Sequence, residues 1–160
     1  MTSLGQRFEM WRAAIIAFTE SPYVGIGPGA FEAYLGKLAA NGTINKVVAR
    51  AIPTESGHKP HSHAHNEYLN TLATRGLLGL GAVLAVFVVS FVKFINLSRS
   101  SSTRHSDFGL AGMLLVAGYM VFSISESVLY HMMTTNFFFL TAVSLLFLAR
   151  KQTLSDSIRT

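Results

Sequence analysis

Four histidines, His58, His61, His63 and His65, fall within one short stretch of a chain of 160 residues that holds only six. Histidine is the side chain whose ordinary pKa lies nearest working pH, so it serves proton transfer and metal binding alike. Three readings fit the run His61-Ser62-His63-Ala64-His65-Asn66. On an extended strand the alternation would put imidazoles on one side, where they would bind zinc or copper. One of them would act as a general base or acid. Or they are surface side chains without a ligand. The nearest carboxylate is Glu67, and the absence of cysteine removes thiolate ligands, thiol nucleophiles and disulfides.

The continuation favours the base. Asn66 is a good N-cap, and Tyr68, Leu69, Leu72 and Ala73 would line one face of a short amphipathic helix. Gly76 and Gly79 then permit a bend or a close approach. His65 is thereby held at a helix N-terminus, whose partial positive charge favours a neutral, proton-accepting imidazole and attracts anions such as phosphate.

Further upstream, Leu4, Phe8, Trp11, Ile15 and Phe18 recur at helical spacing and predict a helix over about 2–19, stopped by Ser21-Pro22. Arg7 and Arg12 flank that stripe on the side expected to remain unburied. As guanidinium groups they suit bidentate phosphate contacts. The three glycines and the proline of Tyr23-Val-Gly-Ile-Gly-Pro-Gly-Ala-Phe31 predict a tight turn into a short helix over 30–40. Without a following Lys-Ser/Thr it is not a phosphate-binding loop, and the spacing is not a dinucleotide fingerprint. Residues 41–64 read as a loop made basic by Lys46, Arg50 and Lys59.

What must position these groups is a membrane. Half the residues are apolar and 13% are charged, where a soluble domain carries about 25%; the mean hydropathy is +0.40. The apolar excess lies in 76–150. Spans are expected at about 76–97, 108–125 and 132–149, the first with Lys93 snorkelling at its far end. Val83–Val92 has no polar face, which argues against soluble core helices. The fold class is therefore all-α: a polytopic helical membrane protein with about three transmembrane helices after an extracytoplasmic helical region, 1–75.

Lys93, Arg99 and Arg104 sit between the first two spans, and Arg150-Lys151 follow the third, whereas 123–135 holds Glu126 and His131 but no lysine or arginine. By the positive-inside rule, 93–107 and the tail 151–160 are cytoplasmic, and 1–75 is periplasmic despite its seven basic residues, since long segments translocate regardless of charge. The formal charge of +5 follows from that bias, and no basic stripe with interleaved aromatics indicates nucleic acid. Met1–Glu20 lacks the apolar core of a signal peptide. The expectation is a C-terminal fragment whose earlier spans lie upstream.

At these residues the sequence resembles the bacterial O-antigen ligase and polymerase family. Ligases of that family carry a His, then Asn, Ser or Gln, nine residues, and Gly-x-x-Gly; here these are His65, Asn66, residues 67–75, Gly76 and Gly79. Arg7-x-x-x-Trp11, Ser21–Phe31 and Ser125-Glu126-Ser-Val-Leu129 also look like the family. The resemblance implies an inner-membrane glycosyltransferase that moves a glycan from a polyprenyl-diphosphate donor to a hydroxyl acceptor: lipid A core, growing polysaccharide or protein. It implies His65 as catalytic base and Arg7, Arg12, His61, His63, Asn66 and Arg75 as substrate-binding residues. It implies a metal-independent route with no cofactor, arginines taking the place of a cation. Its partners would be donor, acceptor, membrane lipids and the missing N-terminal helices, without which the fragment is expected to be inactive. The rival from another class is a non-enzymatic transport or polysaccharide-export component with a metal- or pH-sensing histidine loop.

Overall fold

A computed structural model describes residues 2–48, 63–100 and 102–159. Among these it has five helices and no strand: α1 (Ser3–Glu20), α2 (Phe31–Ala40), α3 (Glu67–Ser98), α4 (Thr103–Ser125) and α5 (Met132–Arg159). The all-α class expected from the pattern is what is found. α3, α4 and the part of α5 from Met132 to Gln152 are long and apolar enough to cross a membrane. His58, Arg50, Lys59 and His61 lie outside the described residues.

The chain forms two compact units, Met1–Ala82 with Ser123–Ser127, and Val83–Phe122 with Val128–Thr160. In the first, Thr2 caps α1 by accepting the Gly5 amide at 3.2 Å. The core holds Met10, Ala13, Ala14 and Ala17 of α1, with Phe31, Leu35 and Leu38 of α2 and Ala73 of α3. This differs from the stripe expected of α1. Leu4, Phe8 and Ile15 are 60%, 55% and 51% exposed, and the alanine face packs inward instead. Periodicity identified the helix but not its inner face, because small side chains admit a closer helix approach than large ones do.

The glycine-rich segment 21–30 is more than a turn. α3 breaks at Gly76, where φ is 63° and ψ −159°. In an unbroken helix the amides of Leu77 and Leu78 would bond to the carbonyls of Ala73 and Thr74. Here those carbonyls accept from Ile26 and Gly27 at 2.9 and 3.0 Å, and those amides donate to Pro22 and Tyr23 at 2.8 and 3.2 Å. The loop is spliced into the helix break and satisfies all four groups, as burial requires. The approach needs glycine on both sides. A Cβ at Gly25 would stand 2.3 Å from the Thr74 carbonyl carbon, and one at Gly76 2.3 Å from that of Tyr23.

In the second unit the buried residues include Phe87, Phe94, Val116 and Phe138. The rings of Phe87 and Tyr119 lie 6.0 and 4.8 Å from that of Phe138, and Phe94 occupies the space over Gly112. Tyr119 donates its hydroxyl to the Thr134 carbonyl at 2.6 Å. Val88, Val92, Leu114, Val121, Leu140 and Phe147 face outward, which suits a hydrocarbon surround rather than water.

Candidate functional site

The histidine segment enters α3 through residues with unusual local demands. Ala64 is fully buried; its carbonyl accepts from the Trp11 indole at 3.0 Å and its amide donates to the Asn70 side chain at 3.3 Å. His65 follows with φ of 49°, a left-handed conformation that is uncommon outside glycine, and strained backbone of this kind gathers at functional sites. Asn66 then caps the helix as its type predicts. Its Oδ1 accepts the Leu69 amide at 2.9 Å, and its Nδ2 donates to the Ile124 carbonyl at 2.8 Å. One side chain thus starts α3 and ties it to the end of α4.

That tie brings Glu126 to the histidines. The Nδ1 of His65 lies 2.9 Å from Glu126 Oε1 and 3.2 Å from Oε2. The Nε2 of His63 lies 3.3 Å from the same Oε1, and the two imidazole centroids are 4.4 Å apart. Arg7, one turn into α1, donates Nη1 to the Ser125 carbonyl at 2.8 Å and places Nη2 3.9 Å from Glu126 Oε2. The result is one carboxylate faced by a guanidinium and two imidazoles, all partly open to solvent. Burial pushes the Glu126 carboxyl up. The charge and hydrogen bond of His65, the Ser127 amide and the His63 ring outweigh that, and the carboxyl sits below its ordinary range.

Of the residues expected from sequence, the structure therefore gathers His65, His63, Asn66 and Arg7. Arg12 and Arg75 are exposed, and among the described residues neither enters the hydrogen bonds of this cluster. The residue that sequence reasoning passed over as a functional group is Glu126. A signal was present: between Phe108 and Ala149 it is the sole charged residue, and an ionisable group in so apolar a stretch is a functional-site candidate by default.

An all-helical fold with three helices long and apolar enough to cross a membrane defines a helical membrane protein. The chain belongs to the O-antigen ligase family, whose model, described as O-Antigen ligase, matches residues 1–84. It is also similar to an uncharacterized protein of Haemophilus influenzae, at 25% identity over 138 residues, 86% of this chain and 32% of that protein. The chain spans about a third of the length of the curated relative it matches.

Proposed function

We propose that the protein serves a membrane glycosyltransferase of the O-antigen ligase or polymerase type, carrying its proton-accepting group and part of its diphosphate-binding charge. The observation that carries this reading is His65, held in a left-handed backbone at the start of α3 with Nδ1 on a carboxylate and Arg7 on the same carboxylate, inside the segment matched by the family. The donor is a glycan on a polyprenyl diphosphate, and the acceptor is a hydroxyl of lipid A core, polysaccharide or protein.

The chemistry has two demands. The acceptor oxygen bonds to the donor's anomeric carbon while the bond from that carbon to the diphosphate oxygen breaks, its electron pair leaving with the diphosphate. The acceptor's proton passes to His65, and cationic side chains stabilise the departing charge. Arg7 is first for that second role and Arg12 next, with His61, His63 and Arg75 as further substrate contacts; Asn66 contributes by fixing the entry to α3. On the positive-inside argument, 1–75 and the Glu126 turn face the periplasm, 76–150 crosses the inner membrane, and 93–107 and 151–160 face the cytoplasm. Further spans, of the kind the longer relative has room for, would complete the lipid cavity.

Turnover in native membranes tests the assignment. His65→Ala is expected to lower kcat by about 10²–10⁴-fold, the usual worth of a positioned base. Arg7→Ala should also lower it substantially. Retained full activity in either variant removes that residue from the mechanism. A second reading has one observation behind it, since two imidazoles on one carboxylate are also a ligand set for zinc. Loss of activity with chelator, restored by zinc, would select it.

A further inference from the structure

The strongest geometric feature that the proposed transfer leaves without a role is the Glu126 carboxylate. It reaches the histidines from the far end of α4, 61 residues along the chain from His65. We propose that Glu126 is a positioning residue that holds His65 with its proton on Nδ1, so that Nε2 is the atom that accepts the acceptor's proton; this rests on the glycosyl-transfer reading above.

An ionised carboxylate can only accept hydrogen bonds. Burial raises the Glu126 carboxyl, but His65, the Ser127 amide and the His63 ring together hold it below its ordinary range, so it is ionised, and the Arg7 guanidinium lies 3.9 Å away. A ring nitrogen 2.9 Å from one of its oxygens must therefore bring the hydrogen. For His65 that nitrogen is Nδ1, and in the neutral ring the lone pair then belongs to Nε2. His63 takes the opposite form. Its Nε2 meets Glu126, so its proton sits there and its lone pair on Nδ1. One carboxylate thus sorts two adjacent imidazoles into different tautomers.

The carboxylate also acts during the reaction. When the acceptor's proton arrives at Nε2, His65 becomes an imidazolium, and a negative charge at hydrogen-bond distance from Nδ1 stabilises the cation as it forms. A carboxylate behind a histidine base works in this way in serine hydrolases, where replacing the acid by its amide lowers kcat about 10⁴-fold because the wrong tautomer is populated. Arg7 then has a second use beyond charge stabilisation. Bonded to the Ser125 carbonyl next in sequence, it anchors the turn that carries Glu126.

The test uses the protein in native membranes with three variants and two readouts. Glu126→Gln removes the charge and can offer an amide N–H in place of an acceptor. It should lower kcat by about 10²–10⁴-fold while the donor KM changes little. Glu126→Asp keeps the charge and should recover at least about a tenth of the wild-type kcat. His65→Asn can still offer a donor where Nδ1 stood but has nothing at Nε2, and should be as inactive as His65→Ala. In the purified protein, nitrogen NMR of labelled histidine should give His65 as the Nδ1–H form in the wild type and in Glu126→Asp, and as a mixture in Glu126→Gln. Wild-type kcat in Glu126→Gln, or an unchanged His65 tautomer in that variant, overturns the role of Glu126. If His65→Ala is inactive in the same assay, the transfer reading survives that failure; if His65→Ala is fully active, the transfer reading itself fails.

Discussion

The two compact units of this chain both bury apolar side chains, but among the described residues only the first also buries a set of polar residues along a helix. In the unit of Met1–Ala82 with Ser123–Ser127, the buried positions include Ala13, Ala14 and Ala17, and a polar set of Asn66, Glu67, Asn70, Thr71 and Thr74. In the other, Phe87, Phe94, Val116 and Phe138 are buried and valines and leucines cover the outside. The first unit is held by specific partners: Thr71 donates to Glu67 at 3.0 Å, and Trp11 donates to Ala64 at 3.0 Å. The second is held by ring contacts and by small residues that admit them. The polar arrangement tolerates little alteration, because a buried polar group that loses its partner costs its desolvation penalty. The apolar surface is interchangeable as long as it remains apolar. Chemistry belongs in the first kind of unit, where side chains have fixed neighbours.

Substitutions at glycine should show this contrast at its largest. Gly76→Ala puts a Cβ against the Tyr23 backbone at a positive φ, and backbone cannot give way as a side-chain tip does. A loss of roughly 3 kcal/mol or more is expected, or failure to accumulate. Gly118→Ala, whose Cβ would meet nothing within 4 Å, should stay within about 0.5 kcal/mol of the wild type. Thermal unfolding in detergent compares them, and equal midpoints would remove the splice at Gly76 as a constraint.

Gly112→Ala should fall between. The new Cβ meets the Phe94 ring at 2.1 Å, and the overpacking should cost about 1–3 kcal/mol. A pairing with Phe94→Leu tests it: the smaller side chain should recover part of the loss, and simple additivity would mean that the two positions are not in contact.

Asn66→Ala removes both the cap bond to Leu69 and the tie to Ile124. About 1 kcal/mol is expected from the cap, with more for the stranded Ile124 carbonyl. Asn66→Ser should recover the cap but not the tie. Hydrogen exchange at the Leu69 amide follows the first bond and turnover follows the second.

The smallest effect is on pH. Glu126 is held below the ordinary carboxylate range in the folded protein, so its contribution is complete above that range and is lost as pH falls through the depressed folded value. The carboxylate is partly exposed and screened, so the difference between the wild type and Glu126→Gln should be under about 1 kcal/mol at neutral pH and vanish on acidification. A difference that grows in acid has the wrong sign and would show that Glu126 is not ionised in the folded protein.

The apolar helices were legible from the sequence because crossing a membrane is a demand on length and composition, both of which are local. Ser3–Glu20 and Phe31–Ala40 were legible as helices for a similar reason, and Asn66 as a cap because its type and position suffice. The inner face of α1 was not, since Leu4, Phe8 and Ile15 follow the same period as Met10, Ala13 and Ala17, and only a neighbour decides which set turns inward. Gly76 announced a bend, yet the partner that fills it, Pro22–Gly27, is about fifty residues away and leaves no periodic trace.

His65 stood out by its place before Asn66 and the two glycines. Glu126 stood out only as a charge in an apolar stretch. The sequence by itself determined the class of protein, three helices able to span a membrane, and the histidine that begins the third helix, because each is decided by neighbours along the chain. The tertiary structure decided which nitrogen of that histidine meets an acid and which arginine stands behind the acid. It also decided which helix face is buried, because these depend on groups that meet only when distant segments fold together.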